Sequence, residues 1–149
     1  MRWSVSRASV EDAGDWRALR DELWPDAAAV QATEIAQMLE RVDQAAFIAR
    51  DVAGQVAGFA EAALRYDYVN GCETSPVGFL EGIYVRPPYR RQGVARALTE
   101  AVAAWTLAQG CRELASDATT DNLDSHRMHA ALGFAETERV VYFRRVLKE

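Results

Sequence analysis

The chain has 149 residues, half of them hydrophobic and 26% charged, which fits one globular domain over residues 1–149 able to bury about two-thirds of its unfolded surface. The formal net charge of −5, with no arginine or lysine stripe, argues against nucleic acid as a partner and suits a cationic small molecule. No apolar run approaches the roughly 20 residues of a membrane span. The start Met1 to Arg7 holds no signal-peptide core, and Cys72 and Cys111 lack metal-ligand spacing. The expectation is a cytoplasmic protein with two free thiols, no membrane contact and no metal.

Trp3 to Arg7 alternates enough for an opening strand. Ser9, with Asp12 three residues on, starts a helix through Leu23 in the manner of a capping box, and Pro25 ends it. Trp16, Leu19 and Leu23 mark its buried stripe. A second helix is predicted over Ala28 to Arg41, carrying Val30, Ile35, Met38 and Leu39. Ala45 to Arg50 and Val56 to Arg65 read as antiparallel strands joined by a turn containing Gly54. Tyr66 to Val77 is polar and rich in turn signals, the longest irregular stretch, and such loops often carry function.

Phe79 to Val85 is a β-forming apolar run interrupted by Glu81 and Gly82. A carboxylate in a buried strand has no evident partner. Two prolines stop the run, and Arg90, Gly93 and Ala95 then stand at the spacing Arg-x-x-Gly-x-Ala before a helix that buries Val94, Leu98, Ala101, Val102 and Trp105. A strand feeding a helix through such a turn exposes free N–H groups at a positive dipole end, an anion site suited to phosphate. Gly110 is placed to cap that helix. Cys111 to Ser116 reads as a short strand ending at Asp117, Asn122 to Leu132 as a helix stopped by Gly133, and Phe134 to Leu147 as one or two closing strands. Hairpin and crossover connections together imply a mixed α/β sheet.

Arg90-x-x-Gly93-x-Ala95 after a strand, with Ala131-Leu132-Gly133-Phe134 after a helix, resembles the GNAT N-acetyltransferase superfamily over nearly the whole chain. Further segments narrow the resemblance: Leu23 to Pro25, Asp67 to Cys72, Ser75-Pro76, Phe79 to Ile83, Gly110 to Glu113, Ala115 to Asp117 and Glu136 to Arg139. These look like the aminoglycoside 6′-N-acetyltransferases. The resemblance implies a mostly antiparallel mixed sheet flanked by helices, with a splayed central strand pair at the cofactor site. It also implies an acetyl-CoA-dependent homodimer that acetylates an aminoglycoside amine.

On that reading the amides of Arg91 to Ala95 receive the pyrophosphate of coenzyme A, Gly93 permits close backbone approach, and Arg90 and Arg91 add charge for its phosphates. Ile83, Val85, Gln92, Val94 and Asn122 complete the expected cofactor contacts. Asn122 serves equally well as a plain helix cap. A bulge at Gly82 would bare a backbone N–H for the thioester oxygen. The acceptor amine, with a pKa near 8, is about 10% neutral at pH 7, so its deprotonation costs roughly 1.4 kcal/mol. Neighbouring carboxylates raise that cost, and a positioned base helps without supplying most of the rate.

Glu81 is the first candidate base, against the alternative of an outward-facing strand carboxylate, and Asp117 is the second candidate, against a simple strand-end role. His129 stands where many superfamily members carry a tyrosine that protonates the leaving thiolate. Imidazole can do this, but a lone helical histidine is more often a satisfied structural residue. Glu81, Asp117 and Glu138 match acidic substrate positions, and Trp24 and Tyr68 match aromatic ones that can stack on a sugar and attract ammonium groups. Taken singly, Trp24 is also a core residue at a helix end, Tyr68 a loop anchor and Glu138 an exposed strand carboxylate. Neither cysteine neighbours a histidine pattern, so transfer by direct amine attack is expected rather than an acetyl-cysteine. Two other readings use the same scaffold: acetylation of another polyamine-like cation, separable by comparing kcat/KM across a substrate panel, and a non-catalytic CoA-binding sensor, which would bind CoA without transfer.

Overall fold

The computed structural model describes residues 2–149, which form two compact units, one reaching to Asp117 and the other spanning Ala118–Glu149. In the first unit five strands lie in the order β1 (Ser4–Arg7), β2 (Gln44–Arg50), β3 (Val56–Arg65), β4 (Val77–Val85) and β5 (Leu114–Ala115). The first four pair antiparallel, and β5 runs parallel to β4. This is the mixed, mostly antiparallel sheet expected from the sequence. β2 and most of β3 are buried along consecutive residues, so helices must cover both faces of the sheet there. Those helices are α1 (Ala13–Leu23), α2 (Gln31–Glu40) and α3 (Val94–Ala108).

α3 buries Val94, Leu98, Val102 and Trp105, an i, i+4, i+8, i+11 stripe against the sheet. Each such apolar side chain taken from water contributes about 1.5–3 kcal/mol. Trp16 and Leu19 of α1, Ile35 of α2, Ile48 and Phe59 make a continuous core, with Leu23, Trp24 and Met38 packed on its margin. α2 departs from expectation. The chain leaves Pro25 as a 3-10 helix through Val30, and the α-helix begins only at Gln31. That tighter winding shifts the phase: Val30 is 46% exposed and Leu39 is also outside, while Gln31 is fully buried and donates to the Trp24 carbonyl at 3.3 Å.

Two features of β4 shape the site. Across β3, Glu61 pairs with Gly82 and Ala62 with Leu80, so Glu81 is the extra residue of a bulge. The distortion therefore sits one residue before its expected place. On the other side, β5 pairs only at Gly78–Leu114 and Phe79–Ala115, whereas β4 continues to Val85. The parallel pairing thus ends at Phe79, where the expected splay would begin.

In the second unit α4 (Leu123–Ala131) begins with Asn122, whose side chain accepts the Ser125 N–H at 3.1 Å. It closes through Gly133, at φ 94°, with the Phe134 N–H reaching the His129 carbonyl at 3.0 Å. The closing strands predicted over Phe134 to Leu147 are not formed. Residues 134–149 have no regular structure, and Tyr142 and Phe143 are 84% and 91% exposed. Strand propensity is present, but a strand needs an edge to pair with. No helix among the described residues is long and apolar enough to cross a membrane.

Candidate active site

The turn from Arg86 to Gly93 carries the chain from β4 into α3. Pro87–Tyr89 forms one 3-10 turn, after which Arg91 (φ 61°) and Gly93 (φ 90°) adopt left-handed backbone. Nothing lies within 4 Å of a Cβ built on Gly93, so its φ, rather than crowding by protein atoms, calls for glycine. The N–H of Ala97 reaches the Gly93 carbonyl at 3.0 Å. Amides preceding it, those of Gly93, Val94 and Ala95, have no intrahelical acceptor and mark the positive end of a 15-residue helix. Arg90 Nε donates to the Val85 carbonyl at 2.8 Å, tying the turn to the end of β4, while Arg91 is exposed. These groups fit a pyrophosphate, and beyond Phe79 the β4 edge is paired by no strand, although the Val85 carbonyl is taken by Arg90 and the Leu80 carbonyl is approached by the Ser116 hydroxyl.

Glu81, the bulged residue, is not without a partner. It faces outward and is held by Arg65, whose Nη2 donates to Oε1 at 2.8 Å and whose Nε donates to Oε2 at 3.2 Å. Its carboxylate helps line a cavity of about 690 Å³, with Arg20, Glu34, Arg41 and Glu61 among the other walls. Trp24 lies against β4: a Cβ on Gly82 would stand 2.7 Å from its ring. Asp117 is exposed just beyond β5, and the Ser116 hydroxyl before it reaches toward the Leu80 carbonyl at 3.4 Å. The Trp24 ring, at the end of α1, thus lies against Gly82 next to the Glu81 bulge, while the parallel pair on the other edge of β4 ends before Asp117.

Residues 15–134 match the acetyltransferase (GNAT) family. The chain belongs to that family. It is 51% identical over 145 residues to aminoglycoside N(6′)-acetyltransferase type 1 of Stenotrophomonas maltophilia, covering 97% of this chain and 94% of that protein. The Serratia marcescens protein of the same name is 55% identical over 133 residues, 89% of this chain and 91% of its own. Among solved structures, an aminoglycoside 6′-N-acetyltransferase from Acinetobacter baumannii superposes with a TM-score of 0.93 at 45% identity, covering 98% of this chain and 99% of that one. The aminoglycoside N-acetyltransferase AAC(6′)-Iy, solved with the bisubstrate analogue CoA-S-monomethyl-acetylneamine, gives 0.89 at 43% identity over 98% and 99% of the two chains.

Within this GNAT site the structure adds a buried network that sequence reasoning missed. Glu61 is 4% exposed and Arg20 5%. Arg20 Nε lies 2.8 Å from Glu61 Oε2, Nη2 donates to Glu61 Oε1 at 3.3 Å and to Glu34 Oε1 at 3.2 Å, and the Trp16 indole donates to Glu61 Oε2 at 2.8 Å. Burial pushes the Glu61 carboxyl up, against the pull of the Arg20 charge and the Trp16 bond. The Arg20 guanidinium also stands 5.0 Å from the Trp24 ring centroid, so the network reaches the aromatic beside Gly82. The same signal that singles out Glu81, a lone carboxylate in an apolar strand, was present at Glu61.

Tyr68 is 70% exposed on its loop. That loop is anchored by Glu113, which accepts the Glu73 and Thr74 N–H groups at 2.9 and 2.7 Å and so has its carboxyl held below the usual range, the Thr74 hydroxyl contributing most. Cys72 and Cys111 are free, and burial pushes both thiols up, away from the thiolate a nucleophile requires. In the second unit, Asn122 is the α4 cap, and Glu138 is exposed. His129 Nδ1 lies 2.7 Å from the Ser125 carbonyl and 3.2 Å from the Ser125 hydroxyl. Among the described residues no group of three or more His, Cys, Asp or Glu is placed to hold a metal.

Proposed function

We propose that this GNAT enzyme transfers the acetyl group of acetyl-CoA to the 6′-amine of aminoglycosides by direct attack in a ternary complex. One observation carries the reading: the phosphate-type turn is joined by a single strand to a bulged, outward-facing carboxylate beside an aromatic, with the strand edge between them open. Arg91 to Ala95 hold the pyrophosphate, with Arg90 bracing the turn. The β4 edge around Ile83 and Val85 aligns the extended arm, and a backbone N–H at the bulge receives the negative charge that develops on the thioester oxygen. Asn122 is proposed beside the cofactor through its amide NH2, since its oxygen is occupied by the cap.

Trp24 and Tyr68 stack on the sugar rings, and Glu81, Asp117 and Glu138 draw their ammonium groups. As the C–N bond forms and the C–S bond breaks, Glu81, directly or through water, takes the amine proton with Asp117 orienting the amine. The thiolate regains a proton. His129 is the proposed donor of that proton.

The enzyme is assigned to the cytoplasm, with a cationic small molecule and not nucleic acid as its partner. It is also assigned a homodimeric state: the apolar run Val140 to Phe143 lies exposed and unpaired within its own unit, and a second copy would provide strand pairing for it. Sedimentation at micromolar concentration should give twice the chain mass; a monomer refutes the dimer alone. For the activity, thiol release from acetyl-CoA with kanamycin- and tobramycin-type acceptors is the test. Release should vanish with an acceptor lacking only the 6′-amine, and equal release from both compounds would overturn the regiochemistry.

A further inference from the structure

The segment ahead of β1 grips the cofactor turn. The Trp3 indole N–H donates to the Gln92 carbonyl at 3.0 Å, and Arg2 Nη2 donates to Gln92 Oε1 at 2.7 Å. The Gln92 amide donates in turn to the Pro88 carbonyl at 3.0 Å. The Trp3 ring stands edge-on to Tyr89, with centroids 5.6 Å apart, and the Tyr89 hydroxyl donates to Asp51 Oδ2 at 3.0 Å. Asp51 is itself fixed, its Oδ1 accepting the Ala53 and Gln55 N–H groups at 2.9 and 3.0 Å. The turn is thus braced by the chain's N-terminal segment and by the β2–β3 hairpin.

The consequence follows from peptide geometry. In a trans peptide the carbonyl oxygen and the next N–H point in opposite directions. Holding the Gln92 oxygen at Trp3 therefore fixes the Gly93 N–H on the far side of that peptide. Arg91, on the other side of Gln92, sits at φ 61°, a left-handed conformation that a non-glycine residue seldom holds unless its surroundings fix it.

We propose that Trp3, assisted by Arg2, is a positioning residue for the diphosphate of the acetyl donor, presetting the peptide that offers the Gly93 N–H. The proposal rests on the acetyl-CoA reading above. Trp3→Phe retains an aromatic ring against Tyr89 and removes the indole N–H. The measurement compares acetyl-CoA with S-acetylpantetheine, which carries the same thioester arm and no diphosphate, together with CoA binding by calorimetry.

We expect kcat/KM for acetyl-CoA to fall about three- to tenfold, the worth of one ordinary hydrogen bond, through KM and with kcat unchanged. The Kd of CoA should rise in parallel, while S-acetylpantetheine stays within about twofold. An equal loss with both donors, or no loss with acetyl-CoA, overturns the proposal. Should Trp3→Phe fail to fold, Arg2→Ala must show a smaller loss with the same donor selectivity, and its absence overturns the proposal equally. A wild-type protein that neither binds CoA nor turns over refutes the acetyltransferase reading itself, and the positioning role with it.

Discussion

Trp24 and Gly82 share one space. A Cβ on Gly82 would stand 2.7 Å from Trp24 Cη2 and 2.8 Å from Cζ2, so the absent side chain of β4 is filled by the indole. Phe59 meets the same ring edge-on at 6.0 Å and the Arg20 guanidinium lies 5.0 Å from its centroid. Gly82→Ala must therefore displace the ring or the strand. Overpacking of this kind costs about 1–3 kcal/mol, to be read from urea unfolding. Because the indole is assigned to the acceptor, KM for the aminoglycoside should rise while KM for acetyl-CoA holds. A rise in the acetyl-CoA KM alone would place Trp24 outside the acceptor site.

Glu81 presents its carboxylate from the bulge while Arg65 chelates it, and Arg65 is itself stacked on Phe79, 3.4 Å from the ring centroid. The pairing orients the group while leaving it exposed to an incoming amine. Glu81→Gln keeps the shape and removes the base, so kcat should drop by about 10- to 100-fold, at or below the lower end of general-base effects, with the Kd of CoA unchanged. Arg65→Met should lower kcat less, since the base survives without its brace. Unchanged turnover in Glu81→Gln removes it from the base role.

The Arg20–Glu61 pair is buried on both sides, with side chains 6% and 5% exposed. Removing one member strands the other's charge, whereas removing both leaves no unpaired buried charge, only the Trp16 N–H without its acceptor. Glu61→Leu alone should destabilise the fold by about 3–5 kcal/mol, and Arg20→Met with Glu61→Leu by distinctly less. Chemical denaturation of the three variants is the check. Additive losses would mean that the two side chains act independently.

What was legible in the sequence was local. The turn from Arg90 to Ala95 announces itself because proline, glycine and the helix start lie within ten residues, and Glu81 stands out as a charge in an apolar run. The Arg20–Glu61 pair joins α1 to β3 across 41 residues, and neither residue betrays the other by spacing. The helix predicted from Ala28 runs on through a stretch that the Pro25 start winds as 3-10, and the α-helix begins only at Gln31. The apolar, β-forming run Val140 to Phe143 reports β propensity, but propensity does not supply the neighbouring strand, and none forms within its unit.

Asp12 ties the entry of α1 to the sheet, and its contribution depends on pH. Its Oδ2 accepts the Ser9 N–H at 2.9 Å, and its Oδ1 accepts Arg50 Nη2 at 2.9 Å. The Ser9 backbone bond, with the Arg50 guanidinium added, holds the Asp12 carboxyl below the usual carboxylate range against some desolvation. A carboxyl depressed in the folded state stabilises it fully above the unfolded value of about 3.9, and that stabilisation disappears as pH falls through the folded value. Asp12→Asn should cost about 1 kcal/mol at pH 7, the usual scale of a helix-entry bond, though its oxygen can still serve Ser9. As pH is lowered from 7 through 4 and below, the wild type should converge on the variant in urea midpoint. A gap of constant size across that range would mean that the Asp12 charge contributes nothing and that its hydrogen-bond geometry alone holds the helix entry.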